Sequence, residues 1–202
     1  MIGRAPHFTL DPVAMVRIVR DRYEQTENAR HKGMLAQVLH HLEGEVEFDL
    51  DQLMAAYPVP EPQYRVWQDG EDVGPKGRDS VRAWYAGHLR ARGLVLQYAI
   101  ETIVVDDRTI VTDGDMYVVL PGENIRARGV READPTRVYL KRWRSCILWP
   151  FTEEGDLIGE EFHLSGNRGE SNLWVLDDAD VPEEFHRLTA AAQAYERTMT
   201  GQ

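Results

Sequence analysis

The sequence predicts an α+β fold in which helices come first and a sheet follows. Two observations carry this. Through residues 11–57, and again from Asp79, apolar residues recur at intervals of three and four, the spacing of one helix face. From Leu94 onward the period changes to two, in long segments joined by turns, as antiparallel strands require. Helices, one short strand, a helix and then four longer strands form a segregated order rather than an alternating one.

Asp11 and Pro12 open the first helix, over residues 11–30. Asp11 caps it, Pro12 suits its first turn, and Val13, Val16, Val19 and Tyr23 share a face. The pattern restarts after Gly33 in "MLAQVLHHLEG", with Met34, Leu35, Val38, Leu39 and Leu42 on one side. "DLDQLMAAY" is a short helix stopped by Pro58. "YRVWQDG" reads as a short strand entering the turn-rich loop "DGEDVGPKGRD". Asp79 opens the clearest amphipathic helix, in which Val81, Trp84, Tyr85, His88 and Leu89 fall on one stripe. "LVLQYAIETIVV" and "TIVTDGDMYVVL" flank "DDR" as a hairpin. The loop "PGENIRARGVREADP" leads into the strand "RVYLKRWRSCILWPF", which a turn joins to "DLIGEEFHL". "SGNRGESN" is a loop, and Pro182 opens a closing helix that buries Phe185, Leu188, Ala192 and Tyr195.

With 202 residues, 43% of them apolar, the chain is long enough for one domain with a real core. Its net charge of −11 argues against DNA or RNA as partner, and "KRWR" at 141–144 is short and lies within a strand pattern. The single Cys146 rules out an intramolecular disulfide framework and any multi-cysteine metal site. "MIGRAPHFTLDP" lacks the apolar core of a signal peptide, and no apolar run approaches the roughly 20 residues of a membrane helix. The expected setting is soluble and cytoplasmic. No His/Asp/Glu spacing matches a metal site, and neither a phosphate-binding glycine loop nor a nucleophile elbow occurs. No metal and no organic cofactor is expected.

A series of segments in this order carries a resemblance. The helix ending "HHLEG", the helix "DLDQLMAAY", the strand "YRVW", then "KGRDSVRAWYAGHL" and finally "ILWPFTEEGDLIGEEFHL" together resemble the NTF2-like superfamily, its SnoaL-like branch in particular. The resemblance covers residues 34–165, with residues 1–33 as an N-terminal helical extension and 166–202 as a C-terminal loop and helix. It implies a cone in which a curved antiparallel sheet wraps helices around an apolar pocket. Ketosteroid isomerase, scytalone dehydratase, limonene epoxide hydrolase and polyketide cyclases use such a pocket on hydrophobic substrates without an organic cofactor. Other members only bind or assemble, so function has to be argued from residues. The inward acid of ketosteroid isomerase falls near Ile147 here, and the Arg-x-Asp pair of limonene epoxide hydrolase near Gly114 and Met116. Neither of those mechanisms is expected.

With Val105 opposite Ile110, strand alternation puts Gln97, Ala99, Glu101 and Ile103 on one face with Thr112, Gly114, Met116 and Val118. Comparison with ketosteroid isomerase makes this the pocket face. It also places Tyr139, Lys141, Trp143, Ser145 and Ile147 inward on the next strand, and Glu160 and Phe162 inward on the last. A one-residue bulge would reverse any of these assignments, and Gly114 is a natural place for one.

Glu160 and Glu101 are the candidate acid and base. A carboxylate in an apolar cone is desolvated, which raises its pKa toward neutrality, and two carboxylates with different neighbours can divide acid and base work. A structural ion pair of Glu160 with Lys141 or an arginine accounts for the same residue equally well. Lys141, His88 and His41 are candidates to polarise or orient, with His41 fitting the apolar stripe better than His40. Trp67, Tyr85, Trp143, Tyr139, Met116 and Phe162 are candidate substrate walls, each equally at home in an ordinary core. Glu161, His163, Asp113 and Asp115 are expected to face outward.

The resemblance implies a cofactor-independent lyase or dehydratase. It would move a proton on a hydrophobic, aromatic or polycyclic small molecule such as a lignin-derived aromatic or a steroid. An isomerase or cyclase stands behind that reading, and a non-catalytic small-molecule binding protein is the competing class. A homodimer or homotrimer is implied as well.

Overall fold

The computed structural model describes residues 2–5, 9–68, 70–167 and 169–201. Helices α1 (Ala14–Glu24), α2 (Ala29–Glu47) and α3 (Leu50–Ala55) follow a two-residue strand, β1 (Gly3–Arg4). Asn28, not Gly33, begins α2: its side chain accepts the His31 N–H at 3.1 Å, so the expected first helix ends at Glu24 and Gly33 lies within the second. Asp49 caps α3 in the same way, accepting from Asp51 N and Gln52 N.

Strands β2 (Gln63–Gln68) and β3 (Glu71–Asp72) precede α4 (Arg78–Arg90). Arg78 explains why the segment "GRD" sits here. Its guanidinium reaches back to the carbonyls of Met54, Tyr57 and Val59, at 3.1, 2.6 and 2.9 Å, satisfying the acceptors left open where α3 ends. Tyr57 is thereby fixed at the foot of α4.

The long strands are β4 (Leu96–Val105), β5 (Thr109–Pro121), β6 (Val138–Pro150) and β7 (Gly159–Ser165). A six-residue helix, α5 (Gly122–Ala127), lies in the expected loop after β5, and β8 (Leu173–Val175) precedes the closing helix α6 (Glu183–Thr200). Both α5 and β8 are too short to show a period in sequence. β5 pairs antiparallel with β4 on one edge and with β6 along its full length on the other. The far edge of β6 is shared, with β7 against Arg144–Leu148 and β8 against Tyr139–Lys141. β7 then takes β2 as a parallel neighbour, which places Tyr64 abreast of Glu160. The resulting sheet is curved and unclosed, and one apolar core joins it to the helices it wraps.

Two close backbone approaches need glycine. A Cβ on Gly159 would lie 1.8 Å from the Gln63 carbonyl oxygen, so only glycine lets β2 lie against the start of β7. A Cβ on Gly114 would lie 2.1 Å from the Ala99 carbonyl oxygen. Opposite Gly114 the register of β4 slips, with Ile100 paired to Gly114, Thr102 to Asp113, and Glu101 left as the extra residue of a bulge. The expected pairing of Val105 with Ile110 is correct, but its consequence beyond residue 101 is reversed. Leu96, Tyr98 and Ile100, not Gln97 and Ala99, share the face of Met116 and Val118.

Candidate active site

Five segments deliver one polar cluster into the core. His41 comes from α2, Tyr57 from the end of α3, Tyr64 from β2, Tyr85 from α4 and Glu160 from β7. All five side chains are buried. Glu160 Oε1 accepts from the hydroxyls of Tyr57, Tyr64 and Tyr85, at 3.0, 2.5 and 3.1 Å, and lies 3.1 Å from His41 Nε2. Tyr57 also meets His41 Nδ1 at 2.9 Å, and the Tyr64 hydroxyl lies within hydrogen-bond distance of both other hydroxyls. Glu45 approaches His41 Nε2 from one turn along α2, at 3.7 Å. The Trp149 ring stands edge-on to His41, with ring centres 5.3 Å apart.

Burial works against a charged His41. The charge and hydrogen bond of Glu160, with Glu45 behind them, outweigh it and push His41 up to about 10. Burial would likewise raise Glu160, but the His41 charge and the hydrogen bonds from His41, Tyr64 and Tyr57 hold it below its ordinary range. The two are an ion pair at neutral pH. This corrects the expectation of a Glu160 raised toward neutrality: desolvation is present, and His41, expected to polarise or orient, overcomes it as an ion-pair partner. The three tyrosines move well above 10, first because they are buried and then because Glu160 is charged. They remain donors.

The cluster opens into a cavity of about 750 Å³. Glu160, Tyr85 and Glu45 reach its wall, whereas His41, Tyr57 and Tyr64 stand behind them. Aromatic and apolar side chains line the rest, among them Trp84, Trp143, Trp149, Met116 and Phe162. The volume and lining suit a small molecule of one to a few rings. Among the described residues no three His, Cys, Asp or Glu side chains converge to hold a metal ion.

The expected site residues divide as follows. Glu160, His41, Tyr85, His88, Trp143, Met116 and Phe162 belong to the cluster or the cavity wall. Glu101 does not: as the bulge residue it turns to the outer face, where it meets Arg144 at 2.9 Å with its side chain 60% exposed. Lys141 is buried, but its Nζ donates to the carbonyls of Gly169 and Ser171 rather than pairing with Glu160. Tyr139 is core, its hydroxyl accepting from Asp134 N at 2.7 Å. Trp67 is 40% exposed and donates to Glu161 at 2.8 Å on the outside. Glu161 and His163 face outward as expected, and Asp113 pairs with Arg144. Tyr57, Tyr64 and Glu45 were not singled out in the sequence. The alternation in "QYRVW" could have found Tyr64, since it puts Tyr64 and Val66 opposite Arg65 and Trp67.

No family model matches the sequence, and no curated protein matches it. Solved structures do match. A protein assigned as a SnoaL-like polyketide cyclase from Shewanella denitrificans OS-217 aligns over 65% of this chain and 90% of its own, at 15% identity and a TM-score of 0.52. The chain has the SnoaL-like, NTF2-like fold. A second such assigned cyclase, from Jannaschia sp. CCS1, aligns over 70% of this chain and 91% of its own at 11% identity and a TM-score of 0.52. A phenazine biosynthesis-related protein from Pseudomonas aeruginosa aligns over 72% and 85%, at 8% identity and a TM-score of 0.51. At such identities the SnoaL-like likeness is one of fold, and the chemistry rests on the residues of this chain.

Proposed function

We propose that this protein is a cofactor-independent lyase, a dehydratase in the first instance, acting on an apolar aromatic or polycyclic small molecule. The observation that carries the reading is the Glu160–His41 pair, bridged by tyrosine hydroxyls and opening through Glu160 and Tyr85 onto a large aromatic cavity. In a dehydration, Glu160 takes the proton from the carbon beside an activating carbonyl. The electron pair forms the new double bond and the neighbouring C–O bond breaks. Tyr85 hands its proton to the departing oxygen, and His41, 3.3 Å behind it, restores that proton. The proton held by Glu160 returns to His41 across their 3.1 Å contact, so water leaves and the pair is reset.

A second reading is a binding protein, and one feature favours it: the Glu160 charge is already neutralised from within. The two separate on incubation in heavy water with apolar aromatic diols, steroid enones and epoxides, followed by product mass. Loss of water or formaldehyde is the expected result. Deuterium uptake at unchanged skeleton would indicate an isomerase, and addition of water a hydrolase. Ligand-induced melting shifts with no turnover would favour the binding protein.

A further inference from the structure

A second set of polar groups lines the same cavity and has no role in the proton chemistry. His88 lies one turn beyond Tyr85 on α4, so the two side chains neighbour each other along one helix face. Arg128, directly after α5, lines the cavity beside it. Among the described residues Arg128 makes no ion pair, although the chain carries a net charge of −11. The His88 ring makes no hydrogen bond among those residues either, only an edge-on contact with Trp84 at 4.2 Å between ring centres. Burial and the Arg128 charge hold His88 down to about 4, so it is neutral. Two further wall residues, Trp143 and Ser145, keep a buried indole N–H and a buried hydroxyl without a hydrogen-bond partner among the described residues.

These groups share a chemistry. A guanidinium and an indole N–H can only donate, and the hydroxyl can donate. Guanidinium matches a carboxylate in planar, two-point geometry. Glu160, by contrast, is an anion ringed by donors it already uses. The cavity wall thus carries two kinds of polar group among its aromatic side chains, the Arg128 guanidinium and the Glu160 carboxylate.

We propose that the ligand is an aromatic acid whose carboxylate is held by Arg128 beside His88, with its reacting substituent at Tyr85 and Glu160. The inference rests on the cavity being a substrate site and extends it to a substrate class. In this arrangement Arg128 sets orientation: it draws the substrate carboxylate to itself and leaves Tyr85 and Glu160 to the reacting substituent.

Direct binding of 2-naphthoate and its neutral isostere 2-naphthamide to the full chain tests this without requiring turnover. The expected result is at least tenfold tighter binding of the naphthoate. Arg128→Gln should abolish that preference while leaving naphthamide binding within about twofold, and Arg128→Lys should retain part of it. Equal binding of the two probes, binding of neither, or a preference that survives Arg128→Gln overturns the proposal. A preference that depends on Arg128, together with a silent reaction panel, would leave the anion site standing and remove the lyase reading. Turnover of neutral substrates without the preference would do the reverse.

Discussion

His41 Nε2 and Glu160 Oε1 lie 3.1 Å apart in the core, and each sets the ionisation of the other. The carboxylate stays ionised beside an imidazolium; in the proposed reaction the first is the base and the second its proton reserve.

Stability should therefore depend on pH from both sides. His41 is raised from 6.5 to about 10, so its contribution is complete below pH 6.5 and is lost as pH climbs from there through about 10. Glu160 is lowered from 4.5, so its contribution is complete above that value and fades as pH falls below it. Urea midpoints measured from pH 3 to 10 should form a plateau between about 4.5 and 6.5 and fall on either side. His41→Gln should flatten the alkaline limb; an unchanged limb would mean that the pair is not formed.

Glu160→Gln should lower turnover about 10³-fold, the range of a removed general base. It should also destabilise the protein by about 3 kcal/mol, because a buried imidazole built around an anion loses its partner. Steady-state kinetics and chemical denaturation read the two effects separately.

Tyr64→Phe removes a donor that stands behind the wall, not on it. Loss of a hydrogen bond to a charged acceptor costs about 2 kcal/mol. Its expected signature is an acidic limb of the pH–rate profile shifted upward, since Glu160 is then less well held in its ionised form. A profile that does not move would make Tyr64 a packing residue only.

Gly114→Ala should be among the most damaging single-methyl additions. The new Cβ would fall 2.1 Å from a backbone carbonyl oxygen, with no flexible side chain to yield. A loss of about 3 kcal/mol is expected, or roughly 6–12 °C in melting temperature for a chain of this size. Glu101→Gln, across the sheet from the cavity, should cost less than about 1 kcal/mol, as exposed ion pairs do, and leave ligand affinity unchanged.

What the sequence made legible followed from periodicity over long spans. The α4 stripe correctly put Tyr85 and His88 toward the interior, and the α2 stripe chose His41 over His40. Where a single residue broke a period, the reading turned over. The bulge at Glu101 moved the expected second carboxylate to the outer face and brought Tyr98 inward in its place. Lys141 lies on the expected strand face, but a loop distant in sequence offers carbonyls to its ammonium, and no local pattern announces such acceptors. Trp67, an expected substrate wall, lies on the outer face, which its place two positions from Arg65 marks in the sequence. The cluster itself was hidden because its members come from segments that meet only in three dimensions.

The parallel pairing of β2 with β7 has a consequence for how the protein is made. Tyr64 and Glu160 are 96 positions apart, yet lie side by side on neighbouring strands. Contacts that close so long a span come late in folding, because the entropy of the intervening chain must be lost first. Until β7 docks, His41 has only the more distant Glu45 beside it, the three tyrosines have no Glu160 to donate to, and Glu160 has no cation to neutralise it. The nascent chain thus has no half-assembled site. The complete cluster arrives in one step, with the last long strand.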